Sequence, residues 1–316
     1  MIRRPMNRSG KLHALLSTAR IANVPSVVSN VWLGVMVGML RAEVGLTARV
    51  ADAAVLLALP LAGVCLYLAG NFFNDWMDLQ WDVTHRPERA LPRGIFPPGL
   101  YAALALLLGI LGLGLAAWTS LESGLVAAGI GFWIVVYTVL HKRTAWAVIP
   151  MGLCRALLPV MGCVAVFPYV DAIWPAACAL LCYIMGLSLS ARYESMAEPP
   201  RRIAVMARGL LLGAAVLVVW GNRGLLVGQL SSVVGALPYL IWTSLCLRIW
   251  RKPVPLLVSR LLAGIPWVDW MTLLPVGLML AFHGGNGAIP YMVACFVVPP
   301  VAFISALLLQ RLAPAT

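Results

Sequence analysis

Long apolar runs, separated by short polar stretches, succeed one another from Ile21 to Ala313. They lie near residues 21–41, 53–73, 98–118, 124–140, 145–166, 172–190, 204–220, 227–247, 258–282 and 288–309. A helix rising about 1.5 Å per residue needs about 20 apolar residues to cross a hydrocarbon core of about 30 Å. In lipid, a spanning segment must satisfy its own backbone hydrogen bonds, so runs of this length are predicted to be helices. The pattern predicts an all-α, polytopic transmembrane helical bundle of nine to ten helices. It forms a single membrane domain over residues 1–316, beginning with a basic segment, 1–19. The region 255–283 leaves two readings open: one long helix, or a short surface helix followed by a span. The first run follows a basic N-terminus but is long enough to span, and more spans follow. It is read as a first transmembrane helix, not as a cleaved signal.

Composition supports a membrane solvent. Hydrophobic residues make up 62% of the 316 and charged residues only 11%, against roughly 25% charged in an ordinary soluble domain. The net charge of +12 would suggest nucleic acid in a soluble protein. Here the positive-inside rule accounts for it, and no nucleic-acid partner is expected. With the N-terminus in the cytoplasm and ten alternating spans, 19 of the 23 basic residues fall at cytoplasmic ends. Only Arg41, Arg49 and Arg223 fall at outer ends, and Arg155 falls inside a span. The expected location is a bacterial inner (cell) membrane, with the active site cytoplasmic. The seven cysteines all lie in apolar segments and read as small core residues.

Acidic residues are few and gathered. Of eleven, six lie in two long polar connections, about 74–97 and 191–206, after the second and sixth spans. The arrangement hints at a loose internal duplication. The first connection contains Asn74-Asp75-Trp-Met-Asp78-Leu-Gln-Trp-Asp82. If the second span continues as a helix at about 100° per residue, Asn71, Asn74, Asp78 and Asp82 share an arc of about 80°, with Asp75 beside them. Clustered carboxylates repel unless cations neutralise them. Carboxylate and amide oxygens suit Mg²⁺, which prefers a few protein oxygens together with substrate phosphate. Arg86, Arg89 and Arg93 follow closely, and guanidinium groups match phosphate oxygens. Acids beside arginines at a membrane face describe a diphosphate site with room for an apolar tail between helices. His85 has no evident partner and is read as surface chemistry only.

These residues resemble the UbiA superfamily of membrane prenyltransferases. The likeness continues through Arg86-Pro87-Glu-Arg89-Ala-Leu91-Pro92-Arg93-Gly94 and Tyr137-Thr-Val-Leu-His-Lys142-Arg143-Thr144, with Gly152, Arg155, Pro159 and Gly162 following. It is good over roughly residues 20–205. The resemblance implies a bundle around a central cavity that opens sideways to lipid. It also implies Mg²⁺-dependent transfer of an isoprenoid chain from a prenyl diphosphate to an acceptor that the sequence leaves unidentified. Asn74, Asp78 and Asp82 are then expected to bind Mg²⁺–diphosphate, with Asp75 in the metal set and Lys142 near the phosphates. The family's second motif usually carries two aspartates four apart. Here Glu194 and Glu198 keep the spacing, and Arg192 intrudes. They are the expected second pair, and the change resembles a divergent branch that includes the EboC proteins.

Asn71, Tyr137, Arg192 and Arg155 complete the expected substrate contacts. Aromatic faces at Tyr137, Tyr193, Phe72 and Phe73 are weighed as cation stabilisers against simple packing. Intramembrane charges are expensive, so Arg155 and Asp269 are expected to be paired or functional, with Arg260 a second possible partner for Asp269. Asn23 and Asn30 read equally as cavity lining or helix–helix contacts, and Gly34 and Gly38 as close-packing positions. Two other functions fit the same features: a transporter of a lipid-linked intermediate, and a non-catalytic relative. Ten spans place both termini in the cytoplasm. A C-terminal fusion should then fluoresce as a green fluorescent protein and stay inactive as alkaline phosphatase; the reverse pattern would mean nine spans.

Overall fold

A computed structural model describes residues 8–44, 53–192, 200–222, 226–250, 252–283 and 289–313. Among these residues there are only helices and turns. A short helix α1 (Arg8–Thr18) precedes a 3-10 turn (Ile21–Asn23) and the first span, α2 (Val24–Val44). Then come α3 (Ala53–Met77), a short α4 (Leu79–His85), α5 (Pro98–Thr119), α6 (Leu121–Leu140) and α7 (Val148–Val166). The second half holds α8 (Trp174–Arg192), α9 (Arg201–Gly221), α10 (Leu226–Arg248), α11 (Val254–Ala263), α12 (Ile265–His283) and α13 (Ile289–Leu309). Ten stretches of the described chain are long and apolar enough to cross a membrane, which favours ten spans over nine.

The ninth span, Val254–Phe282, is neither one straight helix nor a detached surface helix. It breaks at Gly264, between α11 and α12. A side chain there would meet the Trp242 indole, 2.6 Å from where its Cβ would stand. The carbonyls at the break find donors: Trp242 Nε1 to Arg260 O at 2.9 Å, and the Tyr183 hydroxyl to Leu261 O at 2.8 Å. Unsatisfied backbone groups are too costly in lipid for a break without such partners.

The spans differ in enclosure. The α2 and α7 spans are 72% buried, and the α5 span is 17% buried, so α2 and α7 form the inner pair and α5 faces outward. α2 packs on α3, α7, α12 and α13. Its crossing with α7 depends on two glycines. A Cβ on Gly34 would stand 1.8 Å from the Pro159 carbonyl oxygen, and one on Gly162 would stand 2.3 Å from that of Val31. Small residues let backbones approach where lipid supplies no hydrophobic drive between helices. The close-packing reading of Gly34 is therefore right. The tight connection between α5 and α6 is a single residue, Ser120, whose side chain accepts from Ser123 N–H at 3.0 Å and so caps α6.

Asp269, wholly buried on α12, accepts from Ser29 Oγ at 2.5 Å and from Asn30 Nδ2 at 2.8 Å. It forms no ion pair with Arg155 or Arg260 among the described residues, contrary to the pairing weighed from sequence. Arg155 instead donates to Ser26 Oγ at 2.7 Å and lies 5.7 Å from the Tyr67 ring centre. Asn23 Nδ2 donates to the Tyr67 hydroxyl at 3.2 Å. Asn23 and Asn30 thus act as contacts between helices. Gly34→Ala should lower the melting temperature in detergent sharply, whereas Gly114→Ala, with open space around it, should leave it unchanged. Equal melting of the two variants would remove the α2–α7 contact from its central role.

Candidate active site at the end of the second span

α3 runs to Met77, pauses at Asp78 and resumes as α4. The pause barely bends the chain's hydrogen bonding: Asp78 N–H reaches Asn74 O at 2.9 Å, and Asp82 N–H reaches Asp78 O at 2.8 Å. The helical face read from the sequence is therefore real. Asn71, Asn74, Asp75, Asp78 and Asp82 are all buried, Asp82 almost completely at 1% exposure. Trp76 and Met77 are exposed on the other side, and Trp81 is exposed beside the face.

Each carboxylate has a cation. Asp75 lies 3.5 Å from Arg20 and 3.6 Å from Arg89. Asp82 lies 2.8 Å from Arg89. Asp78 lies 2.7 Å from Lys142 Nζ and 3.0 Å from His141 Nε2. Lys142 also sits 4.1 Å from the Trp81 ring centre, a cation–π contact. Burial alone would raise the Asp78 carboxyl, but hydrogen bonds from His141 and Lys142 outweigh it and hold it below the usual range.

Arg20 and His141 were missed as site residues in the sequence. Arg20 counted only toward membrane orientation, and no local motif marks it. Its backbone is left-handed, with φ 46° and ψ 49°, a conformation rare for a residue with a side chain. Three contacts fix it. Arg20 Nη1 donates to Asn71 Oδ1 at 2.9 Å, Asn71 Nδ2 donates to Ala19 O at 3.0 Å, and the Tyr67 hydroxyl donates to Arg20 O at 3.3 Å. Both ends of the Asn71 amide are thus used in holding Arg20. The His141 ring is set by its Nδ1 contact with Thr138 O at 2.9 Å and by stacking with Tyr137, centroids 5.1 Å apart.

The arginines after α4 divide. Leu91 is buried with Phe72 and Tyr101, and this anchor turns the connection back so that Arg89 reaches the acids. Gly94 closes the turn with φ +67° and N–H to Leu91 O at 2.9 Å, a conformation that suits glycine. Arg86 and Arg93 stay exposed at the rim. His85 stacks on Trp81 with centroids 4.1 Å apart and takes no part. Phe72 packs edge-on against Tyr101, and Phe73 tilts toward Trp76. At the end of α8, Arg192 donates to His141 O at 2.9 Å, which brings the start of the second connection beside the Lys142–Asp78 pair. Tyr193, Glu194 and Glu198 lie outside the described residues.

Among the described residues no three of His, Cys, Asp and Glu are gathered closely enough to cage a metal by themselves. The donor set nevertheless fits Mg²⁺ held jointly with phosphate. Asp82 Oδ1 is a buried acceptor without a hydrogen-bond partner, and the Asn74 side-chain nitrogen is a buried donor without one, a partner for a phosphate oxygen rather than for the metal. Mg²⁺ commonly takes only one or two protein carboxylates besides phosphate and water.

A profile of the UbiA prenyltransferase family matches residues 31–283. No curated protein sequence matches the chain. Solved structures do match its fold. An apo UbiA homolog from Aeropyrum pernix K1 aligns with a TM-score of 0.64 at 15% identity, covering 78% of this chain and 94% of that one. A UbiA homolog from Archaeoglobus fulgidus bound to Cd²⁺ aligns at 0.51 and 14%, covering 93% and 99%. A digeranylgeranylglyceryl phosphate synthase aligns at 0.50 and 16%, covering 95% and 98%. The fold and the family profile define a membrane-embedded prenyltransferase. The chain belongs to the UbiA prenyltransferase family.

The lowered Asp78 carboxyl fixes a pH dependence. Its pairing stabilises the fold above the ordinary carboxylate range, near 3.9, and is lost as pH falls through the lower native value. Asp78→Asn should therefore melt below the parent protein at pH 7, by roughly 2–4 °C per kcal/mol lost. The gap should close as pH falls below about 4. Identical melting at pH 7 would show that the Lys142 and His141 contacts contribute nothing.

Proposed function

We propose that the chain transfers an isoprenoid group from a prenyl diphosphate to an acceptor within the membrane, with Mg²⁺ and diphosphate held at the end of α3. The observation that carries this reading is the charge balance. Three buried carboxylates, Asp75, Asp78 and Asp82, face three cations, Arg20, Arg89 and Lys142. Such a set is nearly neutral at rest. It favours a metal and an anion arriving together, since either alone would leave net charge in a low-dielectric mouth.

Asn74, Asp78 and Asp82 would hold Mg²⁺, with Asp75 beside them; Glu194 and Glu198 would form the second acidic pair. When bound, Mg²⁺ supplies Lewis-acid neutralisation of the departing diphosphate. The protein's own cations add to this. Lys142 and Arg89, released from the carboxylates as these turn to the metal, would donate to phosphate oxygens, and Arg86, Arg93 and Arg192 would receive the diphosphate at the rim. The allylic C–O bond breaks with its electron pair on the diphosphate. The acceptor's nucleophilic atom then bonds to the allylic carbon and gives up its proton. Tyr137 sits beside His141 and would present a ring face to the allylic charge. Arg155, beside the Tyr67 ring, would face the acceptor. Apolar helix surfaces beside the site would keep water from the reacting carbon. The glutamate pair keeps the EboC-like branch as the proposed place within the family, and the basic ends of the spans support a cytoplasmic site.

Asp78→Ala and Asn74→Ala should abolish Mg²⁺-dependent consumption of radiolabelled prenyl diphosphate in membranes while keeping the detergent elution profile of the parent. In the parent, prenyl diphosphate and Mg²⁺ together should raise the melting temperature, and the Asp78→Ala protein should lose that shift. Undiminished transfer by Asp78→Ala would end the metal assignment.

A further inference from the structure

A second pair of arginines lines a cavity whose walls include none of the acidic residues of α3 and α4. A cavity of about 410 Å³ opens where α11 meets the end of α13. Arg260, Arg311 and Gln310 line it with Leu256, Ile304 and Leu308. Neither arginine has a carboxylate partner among the described residues. Arg260 Nε is buried without a hydrogen-bond partner, and its guanidinium lies 5.6 Å from the Trp250 ring centre. Arg260 sits six residues beyond the start of the apolar span Val254–Phe282, about 9 Å along the helix. A cation within an apolar span is expensive unless it is paired. Arg311 lies just past α13, at the membrane face where α3 ends, as the alternation of spans requires.

The remaining walls identify the ligand. Ile304 and Leu308 belong to the apolar span Ile289–Leu309, so the cavity joins two guanidinium groups to a hydrocarbon slope. A free phosphate ion has no use for that slope. A phospholipid places its phosphate beside the arginines and an acyl chain along α13. Two unpaired positive charges favour an anionic headgroup over a zwitterionic one. We propose that this cavity binds the headgroup phosphate of an anionic phospholipid from the leaflet at which α3 ends. α11 and α13 both pack on the 3-10 turn that follows Arg20. A lipid bridging them therefore braces the support of the residue that grips Asp75, although the lipid site itself does not depend on the proposed transfer reaction.

The test uses the purified full chain, delipidated in detergent and offered equimolar phosphatidylglycerol and phosphatidylcholine, with retained lipid counted by native mass spectrometry. The parent should retain phosphatidylglycerol in preference, by about fivefold or more. The Arg260→Gln/Arg311→Gln double variant should retain the two lipids equally. Because Arg260 also packs on Trp250, Arg311→Gln alone serves as a second variant that leaves that contact intact, and it should lower the preference at an unchanged melting temperature. Arg41→Gln, at the opposite face, should leave it intact. Equal retention by the parent, or an undiminished preference in both arginine variants, overturns the proposal. So does displacement of the phosphatidylglycerol by millimolar inorganic phosphate, which would give the cavity to a free anion.

Discussion

Three carboxylates on one face of one helix repel one another, and at the end of α3 they are also buried. Leaving one member of a buried ion pair unmatched costs about 3–5 kcal/mol. The chain answers with cations drawn from three separate segments: Arg20 before the first span, Arg89 after α4, and Lys142 after the fourth span. This compensation ties the start of α2, the connection after α3 and the end of α6 to a single point. The proposed function rests on the same requirement, since side chains that neutralise the acids at rest are those a diphosphate would recruit.

Arg20 illustrates how the frame meets the requirement. Its left-handed backbone costs about 1–3 kcal/mol. A hydrogen bond to a charged group returns about 1.5–3 kcal/mol, and Arg20 makes one to Asn71 besides its pairing with Asp75. The strain is therefore sustainable only while α3 stands beside the turn. The α2–α7 crossing and the Asp269–Ser29–Asn30 contact keep the first span in place against the fifth and ninth. Polar groups within the bundle thus serve mainly to position helices, and the charge is gathered at the end of α3.

Both interruptions in the spans follow one rule. At Asp78 the backbone hydrogen bonds run on through the pause. At Gly264 they are supplemented by Trp242 and Tyr183. A helix in lipid changes direction only where other groups take up its carbonyls and amides, and at Gly264 the donors come from α8 and α10.

The sequence by itself determined a bundle of nine to ten spans and the acidic face, because both depend on local periodicity: apolar runs of membrane length, and oxygen-bearing side chains at helical spacing from Asn71 to Asp82; the choice of ten came from the structure. It also marked Arg89 and Lys142, which lie in a recognisable pattern. Tertiary structure alone decided which cation meets which acid. Arg20 is separated from Asp75 by a whole span and its return, and His141 from Asp78 by two more. It separated Arg89, drawn inward by the Leu91 anchor, from Arg86 and Arg93 at the rim. It also turned Asp269 from an expected partner of arginine into an acceptor for Ser29 and Asn30. Periodicity fixes which face of a helix a residue occupies; only packing fixes what stands opposite that face.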